Sequence, residues 1–371
     1  MASPQRRIQT GAPIAGHGDC ARYRTHQDRR MMPAPAISRV SGGDVASTPC
    51  RCFVLHADDF GMNDGVTNGI LDGFCRGLLT STSVLTNAPG CVRALGAWKE
   101  LQSRFAAGGI PSSDVRQQLH DSSAPFDLGI HLNLTQGRPL TGDKYPRELL
   151  DQFGQFPGIS VLARRLLIGG WKFRDFIEQE LKAQIEVLLD HGISPTHLNA
   201  HQYADTFPVV ASVVPALLTR YAIPVARVPW ERGLTQSTLV HRFEPINWCL
   251  GQVKRIFAFH HLLEISRRGI AHPTGYFGTS HAGRIDLALM RIFVDSAKPG
   301  LTEIGMHPGH QTSPGQTAAC DDAWYDPLDA LRPHELSLLT SPEFALLLEA
   351  QQIRLGRLSE LATWQPLHVA A

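Results

Sequence analysis

The fold is decided by one stretch of the chain, Arg51-Cys52-Phe53-Val54-Leu55-His56-Ala57-Asp58-Asp59-Phe60-Gly61. Its first seven residues form a short apolar run that is typical of a buried strand. Two aspartates follow at once, and Asp64 to Arg76 then carries apolar side chains at helical spacing on one face. A strand, a polar turn and a helix in this order predict an α/β unit.

The same alternation of strand and helix continues along the chain and predicts parallel strands. The predicted strands are Thr80–Thr86, Phe126–Leu132, Thr196–Asn199, Val225–Val228 and Leu301–His307, and the predicted helices are Cys91–Phe105, Trp171–His191, Pro208–Tyr221 and Ser341–Gln352. A length of 371 residues fits either two ordinary domains or one large α/β barrel. The interval 231–284 breaks the alternation and is predicted to be an inserted lid or subdomain.

The composition excludes several functional classes. The chain holds 35 Lys and Arg against 34 Asp and Glu, a net charge of +1, which argues against a nucleic-acid or membrane-surface binder. No apolar run reaches the roughly 18 residues of a membrane span, so no transmembrane segment is predicted. The 7 cysteines form no CxxC pair, so a disulfide framework is not expected.

Residues 1–49 differ from the rest of the chain and are predicted to be a disordered tail. They are rich in arginine and show no sustained apolar periodicity. They also lack the apolar segment of a signal peptide, which leads us to expect a cytoplasmic protein. A transit peptide and a later start at Met31 or Met32 are the alternatives. The ordered domain is predicted to cover residues 50–371.

Acidic and imidazole side chains occur at the ends of four predicted strands. Because the carboxyl ends of parallel strands form the active face, these side chains should meet in one pocket. One Asp with two His suits a divalent metal, a second carboxylate suits a general base, and a further His suits a general acid. An Asp pair can instead cap a helix, and a single His can be a core residue, but repetition at four strand ends favours a metal site. The residues are Asp58, Asp59, His131, His197, His201, Glu303 and His307.

Six segments in order resemble the YdjC-like carbohydrate deacetylase family, over about residues 51 to 357. His56-Ala57-Asp58-Asp59-Phe60-Gly61 is similar to the family's N-A-D-D-F-G motif, and Thr80 to Asn87 is similar to T-S-T-x-x-x-x-N. The remaining matches are Gly129–Thr135 with G-x-H-x-x-L-T, Gly137–Leu140 with G-x-P-L, Pro195–Gln202 with P-T-H-x-D-x-H, and Glu303–Gly309 with E-x-x-x-H-P.

The resemblance implies an irregular NodB-like (β/α) barrel that removes N-acetyl groups from amino sugars such as chito-oligosaccharides. It implies one divalent metal ion, magnesium or zinc, and ligand softness favours zinc. The expected partner is the N-acetylated sugar, with no nucleic acid and with a homodimer as an option. By position, the family roles fall on Asp59, His131 and His201 as metal ligands, on Asp58 as base, on His307 as acid, and on Arg227, Tyr276, Phe277 and Glu303 as substrate-binding residues.

Three positions depart from the family pattern. His56 stands in place of Asn, Asn199 in place of the motif Asp, and Tyr203 in place of a common His. If that Asp orients a ligand histidine, Asn199 would do so through its carbonyl oxygen and without charge. Asn199 and Tyr203 motivate a carbohydrate-binding pseudoenzyme as one alternative. A metal-dependent phosphoesterase is the other, although it would usually need more metal ligands and more cations than Arg227.

Overall fold

The computed structural model describes residues 51–107, 126–231, 245–312 and 324–363, and its strands form one parallel sheet. The strands are β1 Arg51–Phe60, β2 Ser81–Val84, β3 Asp127–Leu132, β4 His197–Ala200, β5 Val225–Ala226, β6 Gly275–Phe277, β7 Gly300–Met306 and β8 Ile353–Leu355. Their order is β5-β4-β3-β2-β1-β7-β6, with β8 paired to β1. Every pair is parallel, which confirms the predicted α/β class.

The sheet curls into an irregular barrel. The edge strand β5 reaches the segment just before β6, where Val225 forms a parallel bridge with Ala271. The Ala226 amide also donates a hydrogen bond to the Ala271 carbonyl at 3.0 Å. The two ends of the strand order therefore approach each other, as the barrel prediction requires.

Helices follow most strands. They are α1 Asp64–Arg76, α2 Cys91–Ala106, α3 Ile159–Gly169, α4 Arg174–Asp190, α5 Pro208–Ala211, α6 Val214–Arg220, α7 Pro245–Arg267, α8 Leu287–Ser296, α9 Arg332–Leu339 and α10 Pro342–Ala350. Short 3₁₀ turns span Gly142–Lys144, Arg147–Leu149, Gly170–Phe173, His201–Thr206 and Leu358–Ala362. The segment predicted as one helix over 208–221 is divided into α5 and α6, because Pro215 has no amide proton to continue the first helix. None of the described helices has both the length and the apolar character of a membrane span.

Side chains alternate along β1 between the helices and the barrel interior. Phe53, Leu55 and Ala57 belong to the large apolar core. Cys52 and Val54 belong to a second, small apolar cluster with Val225, Leu301 and Leu358. Along β1, His56 and Asp58 follow Cys52 and Val54 at every second position and therefore point to the same face. The barrel interior is thus apolar at one end and polar at the other.

The predicted tail, residues 1–49, lies outside the described residues. Within the interval 231–284, β6 pairs with β7 in the main sheet, so residues 275–277 do not belong to a separate lid. The strand has only three residues and no apolar alternation to reveal it. The status of the rest of the interval as an insertion stays a prediction.

We expect Gly129→Ala to lower the free energy of unfolding by about 1–3 kcal/mol, the usual cost of overpacking. An added Cβ on Gly129 would lie 2.3 Å from His197 Nε2. The His197 ring is fully buried and has little room to move. Gly96→Ala in α2 is the matched control, since its Cβ would meet nothing within 4 Å. Urea denaturation of both variants measures the effect, and equal stabilities would contradict the close packing.

Candidate metal centre and catalytic cleft

Asp58 and Asp59 both reach one cleft because β1 bulges at its end. Neighbouring side chains on a regular strand point to opposite faces. Here the register with β2 shifts between Ala57 and Phe60, and Asp59 has a left-handed φ of 70°. The bulge turns the second aspartate, so both carboxylates line the same cleft.

Asp59, His131 and His201 form the cluster that was predicted to bind metal. The end of β3 supplies His131, and the turn after β4 supplies His201. One nitrogen or oxygen atom from each residue lies within 4.8 Å of the other two. His131 Nε2 and His201 Nδ1 are 3.4 Å and 2.9 Å from Asp59 Oδ1. Three residues from three strand ends therefore converge.

The donor atoms of this cluster fit a divalent cation. His131 Nδ1 and His201 Nε2 are buried and make no hydrogen bond within the described part of the chain, and Asp59 Oδ1 faces both imidazole rings. Burial alone would lower the pKa of His131, yet Asp58 and Asp59 outweigh it and raise that pKa. The two carboxylates thus favour a positive charge next to His131. Two imidazoles and one carboxylate, with room for further ligands, are an ordinary set for zinc.

Arg332 holds the other oxygen of Asp59 and was missed by the sequence analysis. Its Nη2 donates to Asp59 Oδ2 at 2.8 Å, and its Nε donates to Asp326 at 2.6 Å. Burial would raise the pKa of Asp59, but the charges of His201 and Arg332 hold it well below the usual range. Arg332 lies in α9, far along the chain, and no spacing in the sequence connects it with Asp59.

Asp58 has a separate set of partners. Arg227 Nη1 donates to its Oδ2 at 2.7 Å, and Asn199 Nδ2 donates to its Oδ1 at 3.0 Å. Burial acts to raise the pKa of Asp58, but Arg227 and then His131 keep it well below the usual range. Asp58 is therefore ionised.

The structure gives Asn199 a partner other than a ligand histidine. Its side-chain carbonyl would orient a ligand histidine only if the motif Asp of the family has that role. An ionised carboxylate can only accept hydrogen bonds, so Asn199 turns its amide N–H groups toward Asp58. Its carbonyl oxygen makes no hydrogen bond to any described residue.

Arg227 and Glu303 lie behind Asp58 in the barrel interior and do not line the cleft. Arg227 Nε and Nη2 are 2.8 Å and 2.7 Å from Glu303 Oε1. Its Nη2 is also 2.7 Å from His56 Nδ1. Both side chains are at most 1% exposed. The structure thus places these two predicted substrate-binding residues next to the candidate base.

Tyr276 and Phe277, the other two predicted substrate-binding residues, are also buried outside the cleft lining. The Tyr276 hydroxyl is 3.1 Å from that of Tyr203, which does line the cleft. Phe277 stacks on Phe293 with ring centroids 4.6 Å apart. The geometry connects Tyr276 to the cleft through Tyr203 and leaves Phe277 in the apolar core.

His307 follows β7 and lines the same cleft. Its Nε2 is 3.9 Å from Asp58 Oδ2. Burial lowers the pKa of His307 to about 4, although Asp59 and Asp58 act to raise it. The resting imidazole is therefore neutral at neutral pH.

The cleft has a volume of about 260 Å³, which suits a small ligand or one unit of a larger one. Gln202 and Tyr203, directly after His201, both have left-handed φ angles, of 53° and 60°. Strained backbone of this kind is concentrated at functional sites. The other lining residues are Met62, Ile159, Ala200, Thr279, Ala282, Asp326, Pro327, Leu328 and Arg332.

Proteins named carbohydrate deacetylase are similar in sequence to this chain. A protein from Geobacillus stearothermophilus named carbohydrate deacetylase is 31% identical over 49% of this chain and 62% of its own length. A human protein of the same name is 28% identical over 86% of this chain and 94% of its own. The first match therefore spans less than two thirds of that relative, and the second spans almost all of it.

A solved structure shares the fold. It is described as a putative cellobiose-phosphate cleavage protein from Enterococcus faecalis. Its TM-score is 0.58 at 20% identity, and the match covers 84% of this chain and 99% of that one. The family model described as YdjC-like protein matches residues 52–350. The chain belongs to the YdjC-like protein family.

Proposed function

We propose that the protein is a metal-dependent hydrolase that removes N-acetyl groups from an amino sugar or a chito-oligosaccharide-like substrate. One observation carries the proposal: the cluster of Asp59, His131 and His201 shares a cleft with a separately held carboxylate, Asp58, and an imidazole, His307. Relatives named carbohydrate deacetylase support the same chemistry. Amide hydrolysis needs an activated water, a stabilised oxyanion and a proton for the departing nitrogen.

The cluster of Asp59, His131 and His201 would hold the cation. A divalent cation bound there supplies a Lewis acid that polarises a carbonyl and lowers the pKa of water. Two imidazole ligands favour zinc, and magnesium is the alternative that the family resemblance suggests. Metal analysis of the purified protein decides between the two ions.

Asp58 acts as the general base and accepts the proton of the attacking water. Its charge is secured by Arg227, which in turn is fixed by Glu303. We therefore propose that Arg227 and Glu303 position the base instead of contacting the sugar. His307 protonates the departing amine from its position beside Asp58.

The alternatives lose their motivation in this geometry. The pseudoenzyme was suggested by Asn199 and Tyr203, yet Asn199 orients Asp58 and Tyr203 lies in the cleft wall. A phosphoesterase would usually need a second metal cluster, and Asp59, His131 and His201 are the single one found among the described residues. Acetate release from N,N′-diacetylchitobiose, nucleotide sugars and lipid-linked sugars tests the proposal. Failure on every N-acetylated sugar, with metal bound, would overturn it.

Metal content should fall sharply in His131→Ala, because the substitution removes one of three protein ligands. The wild type should bind about one divalent ion per chain, measured by mass spectrometry of the metal after dialysis. His310→Ala is the matched control, since His310 pairs with Asp72 at the surface. Equal metal content in wild type and His131→Ala would contradict the ligand assignment.

Asp58→Asn should abolish turnover and keep the metal, because the side-chain shape is retained and the basicity is lost. His307→Ala should reduce kcat by about 10²–10⁴-fold, the usual contribution of one acid–base group. Acetate release and metal content are measured on the same samples. If Asp58→Asn loses the metal and keeps its rate per bound ion, the roles of the two aspartates are exchanged.

A further inference from the structure

A buried carboxylate in α9, Glu335, connects two walls of the cleft. Its Oε2 accepts a hydrogen bond from the His307 amide at 2.5 Å, and its Oε1 accepts one from the Ile285 amide at 3.1 Å. The Gly283 amide also donates to it. The side chain is fully buried. Glu335 therefore joins the end of β7 to the loop before α8.

That loop also forms part of the cleft. Its residues Thr279 and Ala282 line the side that faces a ligand. Glu335 thus contacts the backbone of the candidate acid on one side and the backbone next to the substrate wall on the other. No other described side chain is shown to accept from both segments.

The ionised form of Glu335 satisfies all of its hydrogen-bond donors. Its partners are three N–H donors, and an ionised carboxylate accepts from all of them. A protonated carboxyl would direct its own O–H toward donors and lose at least one of these bonds. Loss of the bond to His307 would free the backbone that carries the imidazole.

We propose that Glu335 is a positioning residue for His307, and that protonation of Glu335 releases both His307 and the facing wall of the cleft. The inference rests on the proposed function, in which His307 is the acid. A misplacement of a catalytic group by about 1 Å can cost about 10²-fold in rate. Glu335 would thus affect turnover without contacting the substrate.

The charges around Glu335 are few. Arg332 lies one turn earlier in α9 and acts to lower its pKa, but Arg332 is already paired with Asp59 and Asp326. His307 stands at the end of β7, and the loop before α8 carries His281 and Arg284. Burial is the largest influence and raises the pKa of Glu335 to about 7.

Activity and stability should respond to pH in opposite directions. As pH rises through about 7, Glu335 ionises and orders His307, so kcat rises. Because the pKa is raised from 4.5 in the folded state, the contribution of Glu335 to stability is complete below 4.5 and is lost as pH rises through about 7. A carboxylate whose pKa is lowered in the folded state would instead add stability as pH rises. The opposite pH responses of activity and stability therefore distinguish Glu335 from such a group.

Glu335→Gln tests the inference, because the amide cannot accept all three N–H groups. We expect kcat to fall about 10- to 100-fold with KM little changed, and the limb of the pH–rate profile near 7 to disappear. Metal content should be unchanged. The melting temperature of the wild type should fall relative to that of the variant as pH is raised from 4.5 to 7.

Glu180→Gln is the matched control. Glu180 is equally buried and also accepts backbone hydrogen bonds, from Leu140 and Thr141, but these residues do not line the cleft. The control should keep the wild-type pH–rate profile. Unchanged kcat and an unchanged limb in Glu335→Gln would overturn the inference.

Two further measurements separate the possible failures. If the wild type releases no acetate, the proposed function fails, while the pH dependence of melting still tests the ionisation of Glu335. If Glu335→Gln does not fold, carbon NMR of wild type labelled at glutamate and histidine replaces it. The inference is supported if Glu335 titrates near 7 and the His307 signals shift over the same pH range. It is overturned if the His307 signals do not follow the titration of Glu335.

Discussion

Two adjacent carboxylates are buried at the end of β1, and each is neutralised by its own buried arginine. Asp58 is held by Arg227 from the end of β5, and Asp59 is held by Arg332 from α9. Buried charges are strongly destabilising unless they are paired and hydrogen-bonded. The strand order and the helix after β7 must therefore bring both guanidinium groups to one place. The polar half of the barrel is arranged around this requirement.

The two aspartates differ in how many of their carboxylate oxygens are held by an arginine or an amide side chain. One oxygen of Asp59 is fixed by Arg332, while the other faces His131 and His201, at 3.4 Å and 2.9 Å. Both oxygens of Asp58 accept hydrogen bonds, one from Arg227 and one from Asn199. The first arrangement suits a cation ligand, and the second suits a fixed base. Neighbouring residues of the same type thus acquire different chemistry from their surroundings.

The departures from the family motifs are accommodated inside the same network. His56, which replaces the usual Asn, is fully buried and meets Arg227 through Nδ1 and His197 through Nε2, at 2.7 Å and 2.8 Å. Burial is the largest effect on its pKa, which is lowered, so the ring is neutral and fits beside the guanidinium group. The substitution therefore adds no second positive charge next to Arg227.

The sequence by itself determined the parallel α/β class, the central strand, and the strand ends that carry Asp58, Asp59, His131, His201 and His307, because periodicity and strand polarity are local properties. Short strands such as β6 and β8 have too few residues to show periodicity, so they were missed. Only the tertiary structure decided that Arg227 and Glu303 stand next to Asp58, that Arg332 of α9 lines the cleft, and that Glu335 of α9 bonds to the backbone of His307. Those pairings join residues up to 273 positions apart, and hydrogen-bond partners at such separation are fixed by the path of the chain in space.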